Sequence, residues 1–558
     1  VEVPTPSMVA IAAAAASLVL PRAAPPRSSA ATSEPDVVVI GSGIGGLCCG
    51  ALLARYGRRV TVLESHTIPG GCAHSFERGG YTFDSGPSLW AGLSRPSVNP
   101  LRQVLDAVGE ASSVDWVEYD GWGMVLPEGD FFFRTGDDAA WEATLQKFGG
   151  ADASAQWERL MESSQPVIDA SGATPPMVLR SDPLVLLPLL RQLPGLLRAA
   201  PHASLLNGPS SLLVERGGVT DAFIKQWIDY LAFALSGLDA AGTLGAAVAY
   251  TLGDLYAPGA TLDYPKGGSG AVIDALVRGL EKHGGTLRTG CHVEEILMEN
   301  GRAEGVRLRG GEVVRAARGV VSNADVWATV QLLPEAHRPA PRPGGGGALN
   351  AALPKTPSFM HLHLGFRGPL PDGVGIHYSV ILDDFADILA DNNMVIISIP
   401  TALDPGLAPD GCHVLHAYYA ADEPYEVWEG MDRRSDEYKA LKAERAAPLW
   451  RAIERFIPDI RERAEVTMVG SPLTHERFLR RHRGTYGPEL RAGERGFPSA
   501  YSKVDGLLLC GDSTFPGIGV PAVAGSGIAA AHAVSGVAAQ RELLREMDGR
   551  GVLRPALP

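Results

Sequence analysis

The spacing of apolar residues changes along this chain and divides it into stretches with different predicted elements. Val37–Ile40 is an unbroken run of apolar β-formers, which predicts a buried parallel strand. Residues 100–260 have mainly helical spacing, whereas residues 261–325 return to short strands around one amphipathic helix. The pattern therefore predicts an α/β protein.

The second half of the chain contains several runs of β-forming residues. These runs lie at residues 360–366, 375–382, 394–399 and 413–419. They predict a second, mostly antiparallel sheet. A Pro/Gly run at residues 339–347 has no periodicity and is expected to be a surface loop, while residues 438–456 have the spacing of a charged amphipathic helix.

The first strand leads into a glycine-rich turn that suits a dinucleotide. Gly41, Gly43 and Gly46 have the spacing G-x-G-x-x-G, Gly45 precedes the last of them, and Glu64 closes the next predicted strand. The first glycine permits a tight turn, the second lets the backbone approach a pyrophosphate, and the third allows close packing of helix on strand. The carboxylate is expected to bind a ribose hydroxyl.

A second glycine-rich segment lies near the other end of the chain. It runs from Gly511 and Asp512 to Gly519, Val520 and Pro521. Residues 523–537 follow as a predicted helix of small residues, which would pack closely against its neighbours. These two segments, so far apart in sequence, narrow the function more than any other feature.

The composition adds three observations about the class of protein. Of 558 residues, 45% are hydrophobic and 20% charged, as in an ordinary soluble protein with a large core. The 49 basic and 63 acidic residues give a net charge of −14, which argues against nucleic acid as a partner because no positive field offsets phosphate repulsion. The six cysteines have neither a C-x-x-C pair nor metal-ligand spacing, and we expect reduced, mostly buried thiols.

Residues 1–33 differ from the rest of the chain. They are rich in Ala, Ser and Pro, contain an apolar core at residues 9–20, and carry arginines but no acidic residue between Glu2 and Glu34. The apolar core is too short to span a bilayer. We expect either a targeting peptide, of a kind that fits a plastid, or a disordered tail.

Several segments together carry a resemblance to a known group of flavoproteins. They are residues 36–64, 69–76, 264–270, 471–487 and 511–527. The chain resembles the flavin-dependent amine-oxidase-like fold and, more narrowly, the carotenoid isomerase and phytoene desaturase family. The resemblance implies FAD as cofactor, bound by a Rossmann-type domain beside a discontinuous α+β substrate domain. The FAD-binding domain is expected from residues 34–100, 262–325 and 500–540, and the substrate domain from residues 101–261 and 326–499.

The resemblance also implies roles for individual residues around the first turn. Its glycines would hold the FAD pyrophosphate, and Glu64 would bind the adenosine ribose. Gly70 and Gly71 would let the chain pass close to the cofactor, and the backbone of Val293 would lie beside the adenine. In relatives an arginine often follows this Gly-Gly pair; here Cys72 stands instead, so the sequence offers no arginine for a phosphate contact at this position.

At the second glycine-rich segment, the resemblance places Asp512 at the ribityl-phosphate end of FAD. Backbone amides from Gly519 to Ala522 would lie against the isoalloxazine ring. The helix that begins near Val520 would point its positive end at the flavin, which stabilises an anionic reduced ring. Reduced FAD is therefore the expected active form.

The implied activity is cis-to-trans isomerisation of a lipophilic carotenoid polyene such as poly-cis lycopene. Residues 471–487 and 511–521 look more like carotenoid isomerases than bacterial phytoene desaturases. Charge transfer from reduced flavin would lower the order of one double bond, so no side chain needs to act as a general acid and the catalytic residues stay unassigned. Net redox as a desaturase or saturase, hydration, and a non-enzymatic prenyl-binding escort of the same fold remain alternatives.

Histidines on the predicted second sheet raise the question of a metal. His361 and His363 alternate on one predicted strand, and His413 and His416 lie on another. Strand histidines are more often packed and hydrogen-bonded, and we predict no metal site. His74, just after the Gly-Gly turn, is either a cofactor contact or a plain turn residue.

A cluster of basic residues follows on a predicted helix. It forms either a cationic wall near the flavin or a salt-bridged helix face. Its members are His475, Arg477, Arg480 and Arg481.

Residues 183–197 are rich in leucine, interrupted by prolines and flanked by arginines. The segment is too broken for a transmembrane helix. It is either an interfacial membrane contact, which would suit a substrate that dissolves only in lipid, or a helical hairpin lining the substrate tunnel. We expect a peripheral membrane protein of the plastid.

Overall fold

The structure is a computed structural model that describes residues 34–182, 200–343, 348–493 and 497–555. The expectations for residues 1–33 and 183–197 therefore lie outside the described residues, as does part of the expected loop at residues 339–347. Its described part, residues 339–343, contains neither helix nor strand.

A five-stranded sheet in which every neighbouring pair is parallel forms the centre of the fold. Its strands, in spatial order, are Thr286–Arg288, Val60–Leu63, Val37–Ile40, Gly319–Ser322 and Leu507–Leu509. The prediction of a buried parallel strand is confirmed, because all four of its residues are buried. Helices Ile44–Arg55 and Val520–Val534 pack on each other, and Ser269–Lys282 packs on the first of them.

A seven-stranded mixed sheet forms the second centre. Its order is Ala464–Gly470, Ser358–Arg367, Cys412–Glu423, Met394–Ser398, His377–Ile381, Gly121–Leu126 and Gly129–Arg134. The predicted second sheet is therefore confirmed, and it is mostly antiparallel, with one parallel pair between the fifth and sixth strands. These two sheets and the helices packed on them confirm the predicted α/β class.

Part of the stretch that was expected to be mainly helical, residues 100–260, forms the last two strands of this sheet. Residues 121–134 form an antiparallel hairpin instead. Gly121 has a φ of +149°, and a Cβ there would lie 1.8 Å from the carbonyl oxygen of Phe133. Only glycine permits that close approach between strands. The apolar spacing alone did not distinguish this hairpin from a buried helix.

The remaining elements complete the layers. Two three-stranded sheets and a hairpin use Trp90–Ala91, Leu262–Pro265 and Trp116–Tyr119; Val293–Glu299, Arg302–Leu308 and Val313–Arg315; and Ser75–Arg78 and Tyr81–Asp84. Within the described residues, the other α-helices are Pro100–Val108, Asp138–Phe148, Ala153–Ser171, Ala203–Asn207, Ser211–Arg216, Ala222–Ser236, Gly245–Tyr256, Val326–Leu332, Asp436–Glu454, Ile460–Arg463, Pro472–Leu479 and Val537–Gly549.

All six cysteines are free, and four of them are buried, as expected from their spacing. Among the described helices, none combines the length and apolar character needed to cross a membrane. The division into two discontinuous domains stays a prediction.

Candidate functional site

A cavity of about 910 Å³ opens at the carboxyl ends of the parallel strands. This is the edge at which open α/β sheets bind their ligands. Eleven of the thirteen predicted cofactor residues line it, namely Gly41, Gly43, Gly45, Glu64, Gly70, Gly71, Val293, Gly511, Asp512, Gly519 and Val520. Gly46 and Pro521 do not line it, since the former packs behind the turn and the latter lies in the first turn of a helix.

The first glycine-rich turn packs so closely against its neighbours that three of its positions leave no room for a side chain. A Cβ on Gly46 would lie 2.2 Å from the carbonyl oxygen of Gly41. A Cβ on Gly43 would lie 2.8 Å from Nδ2 of Asn323, and one on Gly45 would lie 2.7 Å from its Oδ1. Sequence reasoning missed Asn323, which directly follows a central strand and fills the space beside these glycines.

Glu64 is buried directly after its strand, and its carboxylate accepts four hydrogen bonds, one of them from the Ser65 hydroxyl to Oε1 at 3.3 Å. Oε2 accepts hydrogen bonds from the Ser42 backbone amide at 2.9 Å and from the Ser42 hydroxyl at 2.6 Å. Oε1 accepts one from the His66 amide at 2.8 Å. These bonds fix the carboxylate at the cavity wall, and Ser42 is a second residue that the sequence motif did not reveal.

The Gly-Gly turn passes directly over the first turn. The Gly70 amide donates to the Ser42 carbonyl oxygen at 3.1 Å, and a Cβ on Gly71 would lie 3.1 Å from the Gly43 Cα. His74 is buried and lines the cavity, while its Nδ1 lies 2.7 Å from the Gly71 carbonyl oxygen. It therefore belongs to both the turn and the cavity wall.

The basic cluster does not act as one unit. Arg481 lies in the cavity wall, where its Nη2 is 2.6 Å from Oδ2 of Asp512. Its Nε donates to the Thr485 carbonyl oxygen at 2.7 Å. Burial by itself would lower the pKa of Arg481. The neighbouring carboxylates Asp512 and Asp325 raise it by more, so the pKa lies above its ordinary value and the guanidinium stays charged. Arg477 is exposed and lies over the ring of Phe478 instead.

Arg481 also lies beside Cys72. Cys72 is exposed to the cavity that it lines, and desolvation by the surrounding wall raises the pKa of its thiol, while the adjacent guanidinium opposes that rise. A positive charge therefore reaches the position after the Gly-Gly pair, although it comes from a distant part of the chain. No local motif could have indicated this, because the two residues meet only in the folded structure.

The second glycine-rich segment leaves open space where a ring could lie. Helix Val520–Val534 begins as expected, with Gly519 as its N-cap and Pro521 in its first turn. Gly519 has a φ of +99°, and a Cβ there would meet no atom within 4 Å. The helix N-terminus therefore faces the cavity without a side chain covering it.

The inner end of the cavity is formed by residues of the mixed sheet and its neighbouring helices. Its wall contains Ala234, Phe359, His361, Ile396, Tyr418, His475 and Tyr486. Burial lowers the pKa of His475 to about 3 and that of His361 well below its ordinary value. Burial raises the pKa of Tyr486 to about 12 and raises that of Tyr418 further. These four groups are therefore uncharged at neutral pH.

Three buried histidines, His361, His363 and His416, lie close enough to raise the metal question again. Their rings are stacked, with an interplanar angle of 6° between His363 and His416 and 11° between His361 and His416. A metal must lie in the plane of each ring that binds it, about 2 Å from the nitrogen, and stacked rings do not converge in this way. His413 lies apart, against Phe366. The absence of a metal stays our prediction.

Comparison with known proteins agrees with this geometry. Residues 44–535 match the family described as flavin containing amine oxidoreductase. Chloroplastic prolycopene isomerase of Arabidopsis thaliana is 32% identical over 95% of this chain and 87% of its own length. Human all-trans-retinol 13,14-reductase is 26% identical over 86% of this chain and 82% of its own.

Among solved structures, an engineered double mutant of putrescine oxidase has a TM-score of 0.58 at 15% identity, over 92% of this chain and 99% of its own, which shows a shared fold. Two findings assign the chain to a family: the match extends over residues 44–535, and the plant isomerase is 32% identical. The chain belongs to the flavin-containing amine oxidoreductase family, within its carotenoid-related branch.

Proposed function

We propose that this protein is a FAD-dependent cis-to-trans isomerase of a carotenoid polyene of the poly-cis lycopene type. The observation that carries this proposal is the uncharged inner wall of the cavity. Imidazoles with a lowered pKa and phenols with a raised pKa offer neither a cation nor an anion to a bound chain. Such a wall suits a lipophilic polyene and does not supply an imidazolium as a proton donor.

The residues of the cavity fit FAD. Glu64 offers an oriented carboxylate to a ribose, and the glycine turn brings its backbone to within reach of a pyrophosphate. The uncovered helix N-terminus at Val520 offers a partial positive charge to an electron-rich ring. When bound and reduced, FAD would supply electron density that weakens one polyene double bond and permits its rotation. The protein's part is to orient the two partners and exclude water.

We also propose that Arg481 makes the phosphate contact of the arginine that relatives often have at the position of Cys72. Arg481→Gln should weaken FAD binding about tenfold to a hundredfold, because a charge-assisted hydrogen bond to the cofactor is lost. Equilibrium titration of the apoprotein, followed by quenching of flavin fluorescence, measures the change. The control is Arg477→Gln, which removes an exposed arginine that lies four residues before Arg481 and does not line the cavity. Equal affinities for the two variants would contradict the assignment.

A saturase is the second candidate, and similarity to a retinol 13,14-reductase favours it. Saturation needs a hydride and a proton, and neutral imidazoles are weak proton donors at neutral pH. The described wall therefore gives a saturase less support than an isomerase.

The experiment mixes poly-cis lycopene in liposomes with the anaerobically reduced full chain, and resolves products by chromatography with mass detection. Isomerisation predicts an all-trans product of unchanged mass. A gain or loss of two hydrogens would identify a saturase or desaturase, and a gain of water would identify a hydratase.

We also propose that the protein is located in the plastid, in peripheral contact with a membrane. A plastid address is supported by the composition of residues 1–33 and by a relative named as chloroplastic. Peripheral membrane contact is supported by the need to take a lipophilic chain from a bilayer, and by the leucine-rich character of residues 183–197.

A further inference from the structure

The exposed phenylalanine Phe478 lies in the wall of the cavity. Seven large hydrophobic side chains are exposed among the described residues, and the other six lie outside this wall. Single exposed hydrophobic residues are common on protein surfaces and by themselves indicate nothing. The position of this one is different, because 44% of Phe478 is exposed at a place where a bound molecule would cover it.

The part of the cavity around Phe478 is the corner expected to hold the adenosine of FAD. The ring centroids of Phe478 and His66 are 5.8 Å apart, with an interplanar angle of 74°. His66 follows Glu64 by two residues and donates its amide to that carboxylate at 2.8 Å. The Cys291 amide donates to the Glu64 carbonyl oxygen at 2.7 Å, which brings the segment leading to Val293 alongside. The ring therefore lies at the corner formed by the two segments to which the ribose and the adenine are assigned.

The helix that carries this ring, Pro472–Leu479, is anchored to the rest of the chain by its side chains. At its start, the Ser471 hydroxyl lies 2.8 Å from the Tyr438 hydroxyl. Further along, Glu476 accepts a hydrogen bond from the Tyr425 hydroxyl at 2.8 Å. The ring is therefore presented to the cavity by an anchored helix and not by the tip of a loop.

The surroundings of the ring suit a flat, uncharged base. The guanidinium carbon of Arg477 lies 5.1 Å from the centroid of the Phe478 ring. Arg477 does not line the cavity, so it leaves the cavity side of the ring uncovered. A base can stack on an aromatic side chain without any particular hydrogen-bond pattern, whereas a phosphate gains nothing from a hydrocarbon ring. Among the parts of FAD, this description fits the adenine.

We infer that the Phe478 ring stacks on the adenine of FAD, so that a helix distant in sequence from both glycine motifs completes the cofactor site. The inference rests on the orientation of FAD that the proposed function uses, and it adds a binding residue that neither motif contains. It also has a consequence for specificity. The ring stabilises bound FAD and ADP, which carry an adenine, but not FMN, which has the flavin and a phosphate without an adenine.

The test compares the equilibrium dissociation constants of FAD, ADP and FMN for the full-length apoprotein. Phe478→Ala should weaken the binding of FAD and of ADP about tenfold each, because the stacking of one base on an aromatic ring contributes on this scale. The affinity for FMN should stay unchanged. Phe478→Trp keeps a flat ring and should retain FAD affinity within about threefold. Phe478→Leu keeps apolar surface but loses the flat face, and it should bind FAD about as weakly as the alanine variant.

The matched control is Tyr501→Ala, which removes an aromatic side chain that is 49% exposed and lies outside the cavity wall. Its three dissociation constants should equal those of the wild type. The melting temperature of each apoprotein separates a local effect from misfolding. Flotation with liposomes that contain anionic lipid, measured for the same variants, tests whether the exposed ring contacts a membrane instead.

Equal FAD affinities in the wild type and in Phe478→Ala would overturn the inference, and weaker flotation of that variant would then identify the ring as a membrane contact. An equal loss of affinity for FAD and for FMN would also overturn it, because the ring would then act on the flavin end or on the fold.

None of these measurements uses isomerase activity. A protein with the expected losses of FAD and ADP affinity that isomerises no polyene would confirm the stacking and reject the proposed function. A wild-type apoprotein that binds neither FAD nor ADP would reject both.

Discussion

Asp512→Ala should release most of the bound flavin. The substitution removes the carboxylate expected at the ribityl-phosphate end of FAD and also leaves the Arg481 guanidinium without its partner at 2.6 Å. Both side chains are largely buried: 13% of the Asp512 side chain and 16% of the Arg481 side chain are exposed. Breaking a buried pair by removing one member costs about 3 kcal/mol or more, which corresponds to roughly a hundredfold in affinity if it is expressed in binding.

Flavin retained through gel filtration, measured by absorbance per mole of protein, checks this result. Asp505→Ala is the control, because Asp505 is 72% exposed and pairs with Arg302 at the surface. The double variant Asp512→Ala with Arg481→Gln removes the unpaired charge and separates loss of folding from loss of binding. An Asp512→Ala protein as yellow as the wild type would contradict the role given to this carboxylate.

Gly46→Ala should abolish FAD binding through the shape of the first turn, although Gly46 does not line the cavity. The added Cβ would lie 2.2 Å from the Gly41 carbonyl oxygen and 3.1 Å from the Asn323 Cβ. Backbone must shift to relieve the first contact, which should lower the free energy of unfolding by about 3 kcal/mol and open the turn that faces the pyrophosphate.

Thermal unfolding and flavin titration of the same samples test this expectation. Gly549→Ala is the matched control, since its Cβ would meet no atom within 4 Å at the end of a helix, and it should leave both quantities unchanged. Wild-type stability and FAD affinity in Gly46→Ala would show that the turn tolerates a side chain, against the packing described here.

Local sequence patterns predicted the parts of the fold that depend on local forces. Val37–Ile40 was recognised because β-branched runs form buried parallel strands, and the spacing of Gly41, Gly43 and Gly46 fixed the turn after it. The hairpin at residues 121–134 was missed because its apolar spacing also fits a buried helix. Pairing with His377–Ile381 decides its structure, and that contact is not encoded locally.

In the candidate site, too, the residues that depend on local sequence were predicted, and those brought together by tertiary packing were not. Residues in glycine motifs were found because the backbone geometry demands them at fixed spacing. Asn323 was not assigned, and Arg481 was left between a cationic wall near the flavin and a salt-bridged helix face, since each reaches the cavity from a separate segment. The histidines of one strand were visible as an alternating pair, but the approach of His475 from a helix depends on tertiary packing.

The central claim is that the reaction consumes no electrons, and counting electrons tests it most directly. The anaerobic protein, loaded with FAD and reduced once with a stoichiometric amount of dithionite, is mixed with a large excess of the cis polyene. We expect many molecules of trans product for each electron pair supplied, all with unchanged mass. A yield that stops at one product for each electron pair, with the product heavier by two hydrogens, would contradict isomerisation and identify a saturase.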